Sequence, residues 1–68
     1  MQLSARNQLK GVVRDVRLGT IMAEVTVDVG GQEVVAAITR QSVERLALDE
    51  GTEVAVLIKA TEVMIARD

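Results

Sequence analysis

Ile21-Met22-Ala23-Glu24-Val25-Thr26-Val27-Asp28-Val29-Gly30-Gly31 is the stretch from which the rest of the chain can be placed. Ile21, Ala23, Val25, Val27 and Val29 alternate with Met22, Glu24, Thr26 and Asp28. Side chains along a strand point to opposite faces in turn, so this pattern describes a strand with one buried face. The glycine pair that follows suits a tight hairpin turn, because both central residues of such a turn take positive φ at no steric cost. The run Val34 to Thr39 then pairs back antiparallel. An antiparallel sheet is therefore the starting point.

Upstream, Leu9 to Leu18 reads as the first strand: Leu9, Val12, Val13, Val16 and Leu18 are interrupted by Lys10, Arg14, Asp15 and Arg17. The broken alternation calls for a kink or bulge, and Gly11 is the expected place for it. Downstream, Val43, Leu46 and Ala47 recur at helical spacing, which predicts a short helix from Arg40 to Leu46 with Thr39 as its N-cap. The turn Asp49-Glu50-Gly51 leads to a fourth strand, Val54 to Ile58, and Glu62 to Ala66 reads as a fifth. Three strands, a short helix and two more strands is the element order of an OB-like barrel. The fold class is mainly β: a five-stranded OB-like barrel with one short helix between strands three and four, forming a single domain over residues 1–68.

The third and fourth strands are apolar on both faces (Val34-Val35-Ala36-Ala37-Ile38 and Val54-Ala55-Val56-Leu57-Ile58), whereas a small barrel buries only one. Exposed alanines would explain part of this surplus; a partner subunit would explain all of it. Size points the same way. A chain of 68 residues without cysteine has no disulfide to offset a small core, and without His or Cys it has no usual zinc ligands, so support by self-association is expected. The mean hydropathy is +0.25, and Phe, Tyr and Trp are all absent.

Composition also narrows function. A net charge of −2 and a pI near 5.0 speak against a general nucleic-acid binder, which needs a concentrated basic surface. The absence of His, Cys and Tyr removes the usual nucleophile and base pairs; a Ser–Lys pair is left as an option that no motif supports, and no enzyme is expected. No apolar run approaches bilayer-spanning length, and the first residues lack the pattern of a signal peptide. The expectation is a soluble, cytoplasmic protein with no membrane partner.

Three polar clusters break the apolar background: Ser4-Ala5-Arg6, Thr39 with Ser42, and Lys59-Ala60-Thr61. Each has an ordinary explanation. The first could be a frayed, solvated terminus, the second a helix cap, and the third a strand-end lysine whose ammonium reaches water. Together they supply hydroxyls, a forked guanidinium, an ammonium and backbone N–H groups, a donor-only set that suits a tetrahedral oxyanion.

Ser4-Ala5-Arg6-Asn7-Gln8-Leu9-Lys10-Gly11, the hydroxyl pair before Val43-Glu44, and Val56-Leu57-Ile58-Lys59-Ala60-Thr61-Glu62-Val63-Met64-Ile65 closely resemble the molbindins, small molybdate-binding proteins of bacteria. The resemblance covers essentially the whole chain. It implies strand-exchanged dimers, three of which assemble into a homo-hexamer holding molybdate or tungstate between subunits by hydrogen bonds, without direct metal ligation. It further implies one class of site lined by Ser4, Ala5 and Arg6 of one subunit and Thr39, Ser42, Lys59 and Ala60 of a neighbour. The resemblance also implies that a serine often stands at the position of Ala60, so that here one hydroxyl contact is missing and only the backbone N–H, or Thr61, can serve. The implied role is intracellular molybdenum storage or homeostasis. The alternatives are an OB-type nucleic-acid-binding domain and a purely structural assembly module.

Overall fold

The computed structural model describes residues 4–68 and consists of four strands and one short helix. Strand β1 spans Asn7–Leu18, β2 Met22–Val29, β3 Gln32–Thr39 and β4 Glu53–Ile58; helix α1 spans Arg40–Arg45, between β3 and β4. All pairings are antiparallel, and the sheet order is β3-β2-β1-β4.

The hairpin forms as its sequence requires. Val29 pairs with Gln32, leaving Gly30 and Gly31 as a two-residue loop at φ +58° and +89°. The Asp28 carboxylate accepts from the Gly31 N–H at 3.0 Å and pins the turn. Inward residues Ala23, Val25 and Val27 of β2 are buried, while Glu24 is exposed.

β1 corrects two expectations. It begins at Asn7 rather than Leu9, because Asn7 to Val12 pair with Ile58 to Glu53 of β4. Its irregularity also lies three residues beyond Gly11. Val13 pairs with Val27 and Asp15 with Thr26, so Arg14 is the extra residue of a bulge. The bulge reconciles the odd spacing of Val13 and Val16, which both turn to the core. Gly11 has a different task. A Cβ there would stand 2.6 Å from Val27 Cγ1 and 2.8 Å from the Asp28 carbonyl oxygen, so only glycine lets β1 lie this close to β2. At the same level the Val13 N–H donates to the Thr52 carbonyl at 2.9 Å, and the Val13 carbonyl accepts from Gly51 N–H at 2.8 Å. These bonds tie the turn before β4 to the middle of β1.

The core is Val13, Ala23, Val25, Val27 and Val43, flanked by half-buried Val16, Ile38, Leu48, Val54 and Val56. Val43 brings α1 onto the inner face of the sheet. The apolar runs of β3 and β4 resolve into a period of two: Val34, Ala36 and Ile38, and Val54, Val56 and Ile58, are half-buried, while Val35, Ala37, Ala55 and Leu57 are exposed on the outer face.

The expected fifth strand is not formed within the chain. After β4 comes a single 3-10 turn, Ala60–Glu62, and residues 63–68 adopt no regular structure. A strand exists only where another strand accepts its hydrogen bonds, and nothing in the described residues pairs with this segment. The sheet is consequently open, not a closed barrel, with β3 and β4 as its edges. Val13, Val25, Ile38, Leu48, Val54 and Val56 help to line an apolar cavity of about 300 Å³ on the uncovered inner face. Leu9, paired with Val56, is left 38% exposed there. No helix among the described residues is long and apolar enough to cross a membrane.

Candidate functional site

Two of the three polar clusters meet. Ser4 sits in a bend, Ala5 is half-buried and Arg6 is exposed, immediately before β1. The stretch is held by Gln8, whose Nε2 donates to the Ala5 carbonyl at 3.2 Å, and by Asn7, whose Nδ2 donates to the Ile58 carbonyl at 3.1 Å. Asn7 and Ile58 are the last pair of the β1–β4 ladder. Continuing the antiparallel register by one step sets Arg6 opposite Lys59. Lys59 opens the 3-10 turn, its carbonyl accepting from Glu62 N–H at 2.9 Å, and the Ala60 carbonyl accepts from Val63 N–H at 3.4 Å. Two cations thus share one end of the sheet, and among the described residues neither is in an ion pair. Like charges placed side by side repel, and an anion between them removes that cost.

Thr39 and Ser42 form the other group. Thr39 ends β3 and caps α1 with extended backbone (φ −71°, ψ 148°), its Oγ1 accepting from Ser42 N–H at 3.1 Å. The same hydroxyl donates to Ser42 Oγ at 2.8 Å. Capping is therefore observed, as the spacing predicts. With Thr39 donating to it, the Ser42 hydroxyl keeps its own proton for an outside acceptor. Thr39→Ala should remove about 1 kcal/mol of stability through the lost cap, whereas Thr39→Ser should retain most of it; urea denaturation measures both.

The groups lie at opposite ends of β1. Thr39 pairs with Met22, next to Ala23, the partner of Leu18 at the C-terminal end of the strand. Ser4, Ala5, Arg6, Lys59 and Ala60 cluster at its N-terminal end. Lys59 and Ala60 thus share their sheet end with the first cluster of their own chain, not with Thr39 and Ser42. A pocket using all seven residues requires at least two copies, each giving a different end.

One further cation flanks the second group. Arg40 follows Thr39, and its side chain borders a cleft of about 310 Å³ between the β1–β2 turn and the start of α1. The sequence reading passed over it because an arginine in an exposed first turn resembles any solvated helix residue. Its place beside the hydroxyl pair was the available signal. Among the described residues no group of three or more His, Cys, Asp or Glu side chains could hold a metal ion.

Residues 3–65 match the family model of the TOBE domain. The chain is 48% identical over 66 residues to the molybdenum-pterin-binding protein 3 of Clostridium pasteurianum, an alignment covering 96% of this chain and 97% of that one. Its structure is similar to that of a molybdate-binding protein from Sporomusa ovata, with a TM-score of 0.94, 43% identity and coverage of 98% of this chain and 100% of that one. It is also similar to the cytoplasmic molybdate-binding protein ModG, solved with molybdate bound, with a TM-score of 0.85 and 39% identity over 88% of this chain and 43% of that one.

Proposed function

The chain belongs to the TOBE-domain family and, within it, to the small molybdenum-pterin-binding proteins, and on that premise we propose that it binds molybdate at pockets shared between copies of itself. The family is one of binding proteins, not of enzymes. The observation that carries the site is the Asn7–Ile58 pair that ends the β1–β4 ladder, which brings Ser4, Ala5 and Arg6 to the same sheet end as Lys59 and Ala60. Ser4, Ala5, Arg6, Lys59 and Ala60 of one copy would face Thr39 and Ser42 of another.

None of the seven residues carries a carboxylate, and that decides which anions are accepted. Molybdate near neutral pH is fully deprotonated, so all four oxygens accept hydrogen bonds. Hydrogen phosphate would bring an O–H whose only side-chain acceptors among these residues are hydroxyl oxygens, weaker acceptors than a carboxylate, so it should bind less well. Tungstate has the same charge and shape and should bind comparably. Sulfate carries no such proton, and its rejection would rest on cavity size. The free oxyanion is favoured over a pterin conjugate because the 68 residues contain no aromatic ring on which a pterin could stack. The same lack removes the stacking platform that a single-stranded nucleic acid would use.

The assembly we infer is a hexamer of three strand-exchanged dimers, each chain a single domain. Support comes from the apolar segment Val63-Met64-Ile65, unpaired among the described residues, and from the open inner face of the sheet that such a segment could cover. The role is molybdenum storage or buffering in the cytoplasm, where ModG is described.

Isothermal titration with sodium molybdate tests the function, and native mass spectrometry counts subunits and bound anions together. Arg6→Ala and Lys59→Ala should each weaken binding about tenfold or more, since each removes a charge-assisted hydrogen bond. Unchanged affinity in either variant would take that residue out of the site. An intact assembly that releases no heat with molybdate or tungstate would end the reading altogether.

A further inference from the structure

The cleft at the start of α1 is lined by Thr20, Ile21, Thr39, Arg40, Gln41 and Glu44. Its one cation is weakly engaged. Arg40 Nη1 donates to the Gly19 carbonyl at 3.3 Å, and its Nε stands 3.8 Å from Glu44 Oε1, one helical turn on. Both side chains are largely in solvent, at 44% and 64% exposure, and so exposed an ion pair holds little. The fold does not depend on the guanidinium to anchor the helix, because the Arg40 backbone N–H already donates to the Ile21 carbonyl at 2.7 Å.

We propose that Arg40 is a third cationic contact of the oxyanion site, parked on Glu44 and Gly19 in the empty protein and turned toward a tetrahedral dianion when one is seated on the Thr39 and Ser42 hydroxyls. The proposal rests on the reading that those hydroxyls hold the oxyanion. The exchange is favourable because a guanidinium bonds a dianion at shorter range and more strongly than it holds an exposed carboxylate at 3.8 Å. Glu44 has two effects of the same sign. It retains the guanidinium, and its own negative charge, in the cleft that Thr39 and Arg40 also line, repels the ligand. Arg40 thus determines how strongly this end of the pocket attracts a dianion, and it offsets the hydroxyl that Ala60 does not supply at the other end.

The test is calorimetric titration of the assembled full-length protein with sodium molybdate at low and moderate salt, comparing wild type with Arg40→Leu, Arg40→Lys and Glu44→Gln. Arg40→Leu should weaken molybdate binding about tenfold and flatten its salt dependence, while the ligand-free thermal midpoint stays within about 3 °C of wild type. Arg40→Lys should recover part of the loss by restoring the charge without the fork. Glu44→Gln should tighten binding roughly two- to fivefold by releasing the guanidinium and removing a repulsive charge. Wild-type affinity in Arg40→Leu, or weaker binding in Glu44→Gln, overturns the assignment while the site stands. A wild-type protein that takes up no molybdate overturns the site and the assignment with it.

Discussion

A chain ending at Glu62 is expected to lose its assembled mass and most of its stability, although the residues removed contribute almost nothing to the fold of a single copy. Val63, Met64 and Ile65 are 44%, 93% and 89% exposed, so in a monomer their deletion would leave the melting temperature nearly unchanged. If the segment covers the open inner face of a neighbour, each buried side chain contributes about 1.5 to 3 kcal/mol. Two or three of them approach the whole stability expected of so small a domain. Deletion would also bare the apolar cavity of about 300 Å³ and leave the edges of β3 and β4 unpaired. Native mass spectrometry, thermal unfolding and binding of a hydrophobic dye read the three consequences separately. A truncated protein with an unaltered number of subunits and an unaltered melting temperature would show that the segment covers nothing.

Gly11→Ala should be the most damaging single substitution in the sheet. The added methyl would meet Val27 Cγ1 at 2.6 Å and the Asp28 carbonyl oxygen at 2.8 Å. Neither can yield easily: Val27 is in the core, and Asp28 is backbone-paired with Val12 of the same strand. Overpacking against a buried side chain and a ladder carbonyl should cost about 3 kcal/mol. At roughly 4 to 8 °C per kcal/mol for a domain of this length, the melting temperature should fall by roughly 12 to 24 °C. Val12→Ala, one residue on and 41% exposed, should change little and serves as the control. A Gly11→Ala protein melting within a few degrees of wild type would mean that β1 and β2 can separate at no cost.

Much of the fold was legible because its signals are local. The alternation from Met22 to Val29, the glycine pair and the Thr39 cap each depend on residues a few positions apart, and each appears where its pattern requires. The bulge was legible in kind but not in place. A broken alternation says that one residue is extra, whereas pairing with Val27 and Thr26 identifies Arg14. Gly11 drew attention as a glycine within a strand, yet its reason is a collision with residues 16 and 17 positions away. The fifth strand failed because Val63-Met64-Ile65 has strand composition without a strand beside it. Composition gives a preference, and only a neighbouring edge supplies the hydrogen bonds.

The candidate site divides in the same way. Sequence chemistry identified donors without carboxylates at Ser4, Ala5, Arg6, Thr39, Ser42, Lys59 and Ala60, because residue type alone says what a group can donate. It could not say which of them stand together, since proximity is set by register and not by spacing along the chain. The sequence by itself therefore determined the antiparallel hairpin, the capped helix, the lack of His, Cys and aromatic side chains, and which polar residues carry hydrogen-bond donors. Only the tertiary structure decided that Arg6 and Lys59 share one end of β1 while Thr39 and Ser42 occupy the other, that Arg40 borders the second group, and that the sheet is open. The physical reason is that hydrogen-bond pairing between distant strands fixes both what is brought together and what is left for another copy to complete.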